Sequence, residues 1–266
     1  MRYKPSDPRT DDPLAVMQHA NRFAGGVALV VLGGYSASKW AELYAELKPD
    51  VILGGNGANL LVEGLDYWMC AENMTRAHRL AKEGSQSDIK YVEMFHREAG
   101  AKVKMISHHS WTRLTDTKNC IRIRRQGYEL DEIENNFSFR DYGLGFLAGW
   151  LLKRTEAGAG VHVGTVGAQL LHLAGILGCS EVHTIGYDLM FKDEDHHHAY
   201  EYPLYKIDRF RTDQFRTEYK GAKTQWAWVE SAQWLQAIEY LFRRDGLKWI
   251  DHSEGLLKLE GLECAE

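Results

Sequence analysis

Apolar positions along this chain fall into two rhythms. Residues 27–32 (VALVVL) and 51–53 (VIL) are continuously apolar and are closed by Gly33-Gly34 and by Gly54-Gly55. Short unbroken runs closed by glycine are the pattern of strands covered on both faces, as in a parallel sheet. Residues 67–71 (YWMCA) give a third strand, and 102–106 (KVKMI), which alternates, a fourth. Between the runs the period lengthens. Residues 39–47, 75–82 and 88–98 read as helices, and Asp12-Pro13 starts another, with Asp12 as N-cap and Pro13 in the first turn, that ends near Phe23. Strand, helix, strand, repeated, predicts βαβ units, and the right-handed crossover rule leaves few topologies for them.

The second half repeats the theme in one clear unit, GTVGAQLLHLAGILGCSEVHTIGYD, residues 164–188. Thr165 is a candidate N-cap, because its hydroxyl can accept from a free amide of the first turn. Val166, Leu170, Leu173, Ala174 and Leu177 make one helical stripe, with Gln169 and His172 outside it, and Gly178 is a natural stop. Residues 182–187 are a strand that ends in Asp188. Elsewhere, 120–124 alternates like an edge strand, 135–143 is turn-rich, and 146–152 is apolar and helical. A polar and aromatic stretch runs from Asp188 to about Lys220. Residues 224–244 are an amphipathic helix with Trp228, Leu235, Ile238 and Phe242 on one face, and 249–250 is a last short strand. No repeat, low-complexity tract or linker divides the chain. The pattern predicts one α/β domain over 1–266, a Rossmann-like three-layer sandwich with a mainly parallel sheet, and a lid segment at 190–222.

Composition narrows the partners. The 266 residues are 44% hydrophobic and 26% charged, ordinary for a globular protein. A formal charge of −5 gives no general drive toward nucleic acid or acidic lipid. Cys70, Cys120, Cys179 and Cys264 form no metal-type pair and read as reduced thiols. The polar, acidic start is unlike a signal peptide, and no apolar run reaches the roughly 20 residues of a membrane span. The expectation is a cytoplasmic protein with no nucleic-acid partner and no membrane span, for which an oligomer is compatible.

Candidate chemistry sits at the strand ends, where an open α/β sheet binds ligands. Gly34, Ser36 and Ser38 line the turn after the first strand, where small residues let amides approach a phosphate. That turn is neither a G-x-G-x-x-G fingerprint nor a P-loop, and a glycine turn also serves steric ends. Asn56 can pair with a base edge or a ribose hydroxyl, or simply make a turn. Glu72, after the third strand, can accept from a ligand hydroxyl or bind a cation, or be a solvated acid. Gly164-Thr165 opens a helix whose free amides suit an anion, and Asp188 faces it as a candidate catalytic acid. The segment 192–198 (KDEDHHH) offers His197 as a general base near neutral pH, although its spacing is no zinc motif and a solvated polar loop is the favoured reading. Arg209 lies among tyrosines and arginines that suit either an anion lid or a packed surface segment.

Together these features resemble the 6-hydroxymethylpterin diphosphokinase-like family and its distant relatives, the bacterial sialyltransferases of Rossmann type. Residues 34–39 (GYSASK) stand where that family has Gly-Asn-Gly-Pro-Ser-Leu, with Tyr35 and Ser36 in place of its asparagine and second glycine. Asn56 matches the end of its second strand. Asp66, Tyr67 and Glu72 match its Asp-Tyr pair and following acid. Residues 164–188, ending LGCSEVHTIGYD, match its helix and Gly-x-Asp strand end most closely. Met190 replaces the tyrosine that the sialyltransferases carry two residues beyond the aspartate. The resemblance covers roughly residues 27–73 and 162–190. It implies a nucleotide-using transferase, glycosyltransferase-like and acting on a nucleotide sugar. The alternatives are a magnesium-dependent diphosphotransferase, for which magnesium is the implied cofactor, and a non-catalytic nucleotide- or sugar-binding relative.

Overall fold

The computed structural model describes residues 18–70, 102–106, 120–122, 165–192, 199, 216–244 and 246–261. Its strands are β1 (Val27–Val31), β2 (Val51–Gly55), β3 (Tyr67–Cys70), β4 (Val103–Ile106), β5 (Cys120–Arg122), β6 (Glu181–Ile185), β7 (Arg216–Tyr219), β8 (Ala222–Gln225) and β9 (Lys248–Asp251). Seven of them form one sheet in the order β5-β4-β3-β2-β1-β6-β9. Every neighbouring pair is parallel. The helices are α1 (Trp40–Leu47), α2 (Val166–Ile176), α3 (Trp226–Arg244) and α4 (Leu256–Leu259), with 3-10 turns at Tyr35–Lys39 and Asn56–Leu60. The chain is an α/β protein, as its two rhythms predict.

The unbroken apolar runs are unbroken because both faces are covered. Ala28 and Val30 point into one core, with Leu53, Tyr67, α2 and α3. Leu29 and Val31 point into a second, with Leu43 of α1, Trp68 and Ile185. On the second face β6 and β9 are also joined by a polar chain. Lys248 Nζ donates to Glu181 Oε2 at 3.3 Å, Glu181 Oε1 meets His183 Nε2 at 2.6 Å, and His183 Nδ1 meets His252 Nε2 at 2.8 Å.

The structure redraws several expected elements. The helix expected to end near Phe23 is, from residue 18 onward, a set of turns. These turns follow the carboxyl end of α2, where Asn21, Phe23 and Gly25 donate their amides to the carbonyls of Ile176, Leu177 and Gly178. They satisfy carbonyls that a helix end leaves open. The single stripe expected on α2 is also too narrow. Gln169, read as outside it, is buried along with the apolar positions, because a helix apolar nearly all round is covered all round.

Finally, the last part of the expected lid, 216–222, belongs to an antiparallel hairpin of β7 and β8. Its two turn residues, Lys220 and Gly221, have φ of 49° and 80°, the handedness that a two-residue hairpin turn requires. Thr224 and Gln225 lie in β8, so α3 begins at Trp226 rather than Thr224. The helices expected at 75–82, 88–98 and 146–152, and the loop at 135–143, lie outside the described residues.

Candidate functional site

The strand order reverses at β1, which sets the carboxyl ends of β1 and β6 side by side, the place where sheets of this kind bind ligands. The loops after β1, β6 and β9 meet at this point. Gly34 N donates to Gly186 O at 2.9 Å, and a Cβ on Gly34 would overlap both that carbonyl and the Asp188 carboxylate. Glycine is therefore required at 34 for close approach of the β6 loop. Gly255 has the same role on the other side, since a Cβ there would overlap the Asp188 backbone carbonyl.

Asp188 is the knot of the three loops. Its Oδ2 accepts from Ser36 N at 2.9 Å, and its Oδ1 accepts from Ser36 Oγ at 2.5 Å and from Glu254 N at 3.0 Å. Ser36 Oγ in turn accepts from Gly186 N at 3.0 Å. The Asp188 backbone carbonyl accepts from Leu256 N at 2.9 Å. Asp188 is 1% exposed and Ser36 2%. Burial pushes the Asp188 carboxyl above its ordinary range, against these hydrogen bonds, which favour the charged form. The chain's own carboxylate thus fills the cradle of small residues after β1.

On the solvent side, Tyr35 OH donates to the Glu254 carbonyl at 2.5 Å, and Lys39 pairs with the Glu254 carboxylate at 2.5 Å. Burial, then the charges of Asp188 and Glu254, push the Tyr35 phenol up to about 12. Lys192 Nζ stands 5.8 Å from the centre of the Tyr35 ring.

On the face of α2 and α3 a second constellation lies at the strand ends. Tyr187 OH bonds Thr165 Oγ1, which also accepts from Ala168 N at 3.4 Å as the N-cap of α2. The amides of Val166 and Gly167, ahead of that capped position, take no bond among the described residues. Tyr187 N donates to Ser253 Oγ at 2.8 Å, and Ser253 Oγ donates to Asp251 Oδ1 at 2.8 Å. Thr184 Oγ1 donates to the same oxygen at 2.6 Å and accepts from Trp249 Nε1 at 3.0 Å. Asp251 Oδ2 is buried and meets no donor among the described residues. Burial pushes the Asp251 carboxyl up to about 6, and the Asp188 charge adds to that rise.

Of the residues singled out from sequence, the fold brings Gly34, Ser36 and Asp188 into one knot and places Thr165 at the α2 end beside it. Ser38 is exposed and donates to the Tyr35 carbonyl at 3.0 Å. Asn56 follows β2 and opens the 3-10 turn at a φ of 48°, its carbonyl accepting from Trp68 Nε1 at 2.7 Å. Glu72, Gly164, His197 and Arg209 lie outside the described residues. Sequence reasoning passed over Tyr187, Asp251, Ser253 and Glu254. The signal for Asp251 was present, an acid closing a short apolar strand in WIDHSEG, but so short a strand carries little pattern. Leu189, just past the knot, has a φ of 53°, uncommon for a residue with a Cβ and often a mark of functional loops.

The sheet defines the class, an α/β protein with a parallel sheet whose strand order reverses at β1. Comparison with family models, curated proteins and solved structures finds no match to this chain. No described helix is long and apolar enough to cross a membrane. Among the described residues, no group of three metal-ligating side chains comes together.

Proposed function

We propose that this chain is a nucleotide-dependent transferase of Rossmann-like fold that handles a nucleotide sugar. The observation that supports it best is the opening of α2 beside the strand-order reversal. There the amides of Val166 and Gly167 take no bond among the described residues, and Thr165 and Tyr187 hold the helix end in place. Unbonded amides and the positive end of the helix dipole favour a phosphate. Asn56, at the end of β2, is the residue assigned to the ribose or base. In this reading the Asp188 knot is the frame that fixes the loops, and the α2 face carries the ligand.

Thermal melting with CMP, UDP, GDP and ATP, each with and without magnesium, tests it. A ligand that binds only the folded state raises Tm. The expected result is a rise with a nucleoside mono- or diphosphate that does not need magnesium. A response confined to ATP with magnesium would favour the diphosphotransferase alternative. No response to any nucleotide would end the reading and leave a sugar-binding relative.

A further inference from the structure

We infer that Asp251 is a catalytic base of this site, its unpaired Oδ2 taking the proton of an acceptor hydroxyl during transfer. The inference rests on the transferase reading and names its acceptor class, an alcohol such as a sugar hydroxyl. Three observations carry it. Asp251 closes β9, next to β6, on the sheet face that also holds the open end of α2. Tyr187 links the two places, its amide bonded through Ser253 to Asp251 and its hydroxyl to Thr165. The carboxylate is also asymmetric. Thr184 and Ser253 hold Oδ1 in a fixed direction, and Oδ2 is buried with no hydrogen-bond partner among the described residues.

A buried carboxylate with one empty oxygen is an unfavourable way to join two strands. An asparagine would accept the same two hydroxyl donors through its own oxygen, and among the described residues no hydrogen bond is made at the Oδ2 position that its amino group would take, although the Ser253 backbone amide also favours the charged carboxylate. The arrangement suits a group that must take up a proton. A base whose pKa lies near the working pH serves this best, and burial together with the Asp188 charge moves Asp251 in that direction. In the step, the acceptor oxygen bonds to the transferred carbon while the bond from that carbon to the nucleotide phosphate breaks. The hydroxyl proton moves to Asp251 Oδ2 and leaves to water afterwards. Among the described residues, the charge of Asp188 raises Asp251 and that of Asp251 raises Tyr187, both neighbours standing just past β6.

The experiment compares the full chain with Asp251→Asn. It reads Tm at pH 7.5, the Tm rise with the nucleotide that the parent recognises, and turnover of the matching nucleotide sugar with glycerol and simple sugars as acceptors. The expected variant melts no lower than the parent, binds the nucleotide within about threefold, and loses turnover by roughly 10²–10⁴-fold, as removal of a general base does. The parent's rate should also fall on the acid side of about pH 6. A variant that melts far lower makes Asp251 a structural acid and overturns the inference. So does a variant with parental turnover. If the parent itself responds to no nucleotide, the transferase reading fails first and this inference with it.

Discussion

Two aspartates end neighbouring strands, and their oxygens tell them apart. Both Asp188 oxygens accept from N–H or O–H donors, three in all. An amide in its place must turn its NH2 toward the Ser36 amide or toward the Glu254 amide, donor against donor. Asp188→Asn is therefore expected to lower stability by roughly 1–3 kcal/mol, the range for a buried polar group deprived of its partner. Denaturant unfolding of the two proteins checks it. Unchanged stability with weakened nucleotide binding would instead make Asp188 a ligand group. Sequence singled out Asp188 because it closes a short β-rich run directly after a readable helix. It could not show that Ser36, 152 residues earlier in the chain, takes up the carboxylate. Ser36 and Gly34 looked like a phosphate turn for the same reason: small residues admit a phosphate and a neighbouring carboxylate equally well.

At the scale of elements, the strands were the most legible part. The apolar runs at 27–32, 51–53 and 67–71 became β1, β2 and β3 with ends displaced by a residue or two, because burial on both faces leaves no polar position to blur them. Short edge strands were also found, since 120–124 and 249–250 became β5 and β9. The β7–β8 hairpin was missed. Its strands RTEY and AKTQ are polar enough to read as loop, and the turn signal is a bare Lys-Gly. The tie between α2 and the β6 loop was also invisible, because it depends on Tyr187 reaching Thr165 across 22 residues. Tyr187→Phe removes that bond and leaves the ring packed against Gly167. The expected loss is about 1 kcal/mol, that of an ordinary hydrogen bond. Hydrogen exchange should localise it as faster exchange in the first turn of α2. Uniformly faster exchange over the whole helix would mean that the ring, and not its hydroxyl, holds the element.

At the scale of the whole molecule, the buried titratable groups pull stability in opposite directions with pH. Asp251 has a folded pKa of about 6, pushed up by burial, against an unfolded value near 3.8. Between those values the folded chain holds a proton that the unfolded chain has released. Its contribution is thus greatest at low pH and is lost as pH rises through about 6. Asp188, whose pKa is also raised, acts with the same sign. His252 acts against them. Burial and the neighbouring His183 hold its pKa below 6.5, so its contribution is lost as pH falls below 6.5. A pH–stability curve of the parent alone mixes these effects, and the difference between parent and Asp251→Asn isolates one. The asparagine cannot titrate, so stability of the parent minus that of the variant should fall by roughly 2–3 kcal/mol between pH 4 and pH 7, since each tenfold change in proton affinity between the two states is worth about 1.4 kcal/mol. It should then stay level up to pH 8. Denaturant unfolding of both proteins at half-unit steps measures it. A flat difference across the range would mean that Asp251 meets the same surroundings folded and unfolded, and that its empty oxygen is in contact with water.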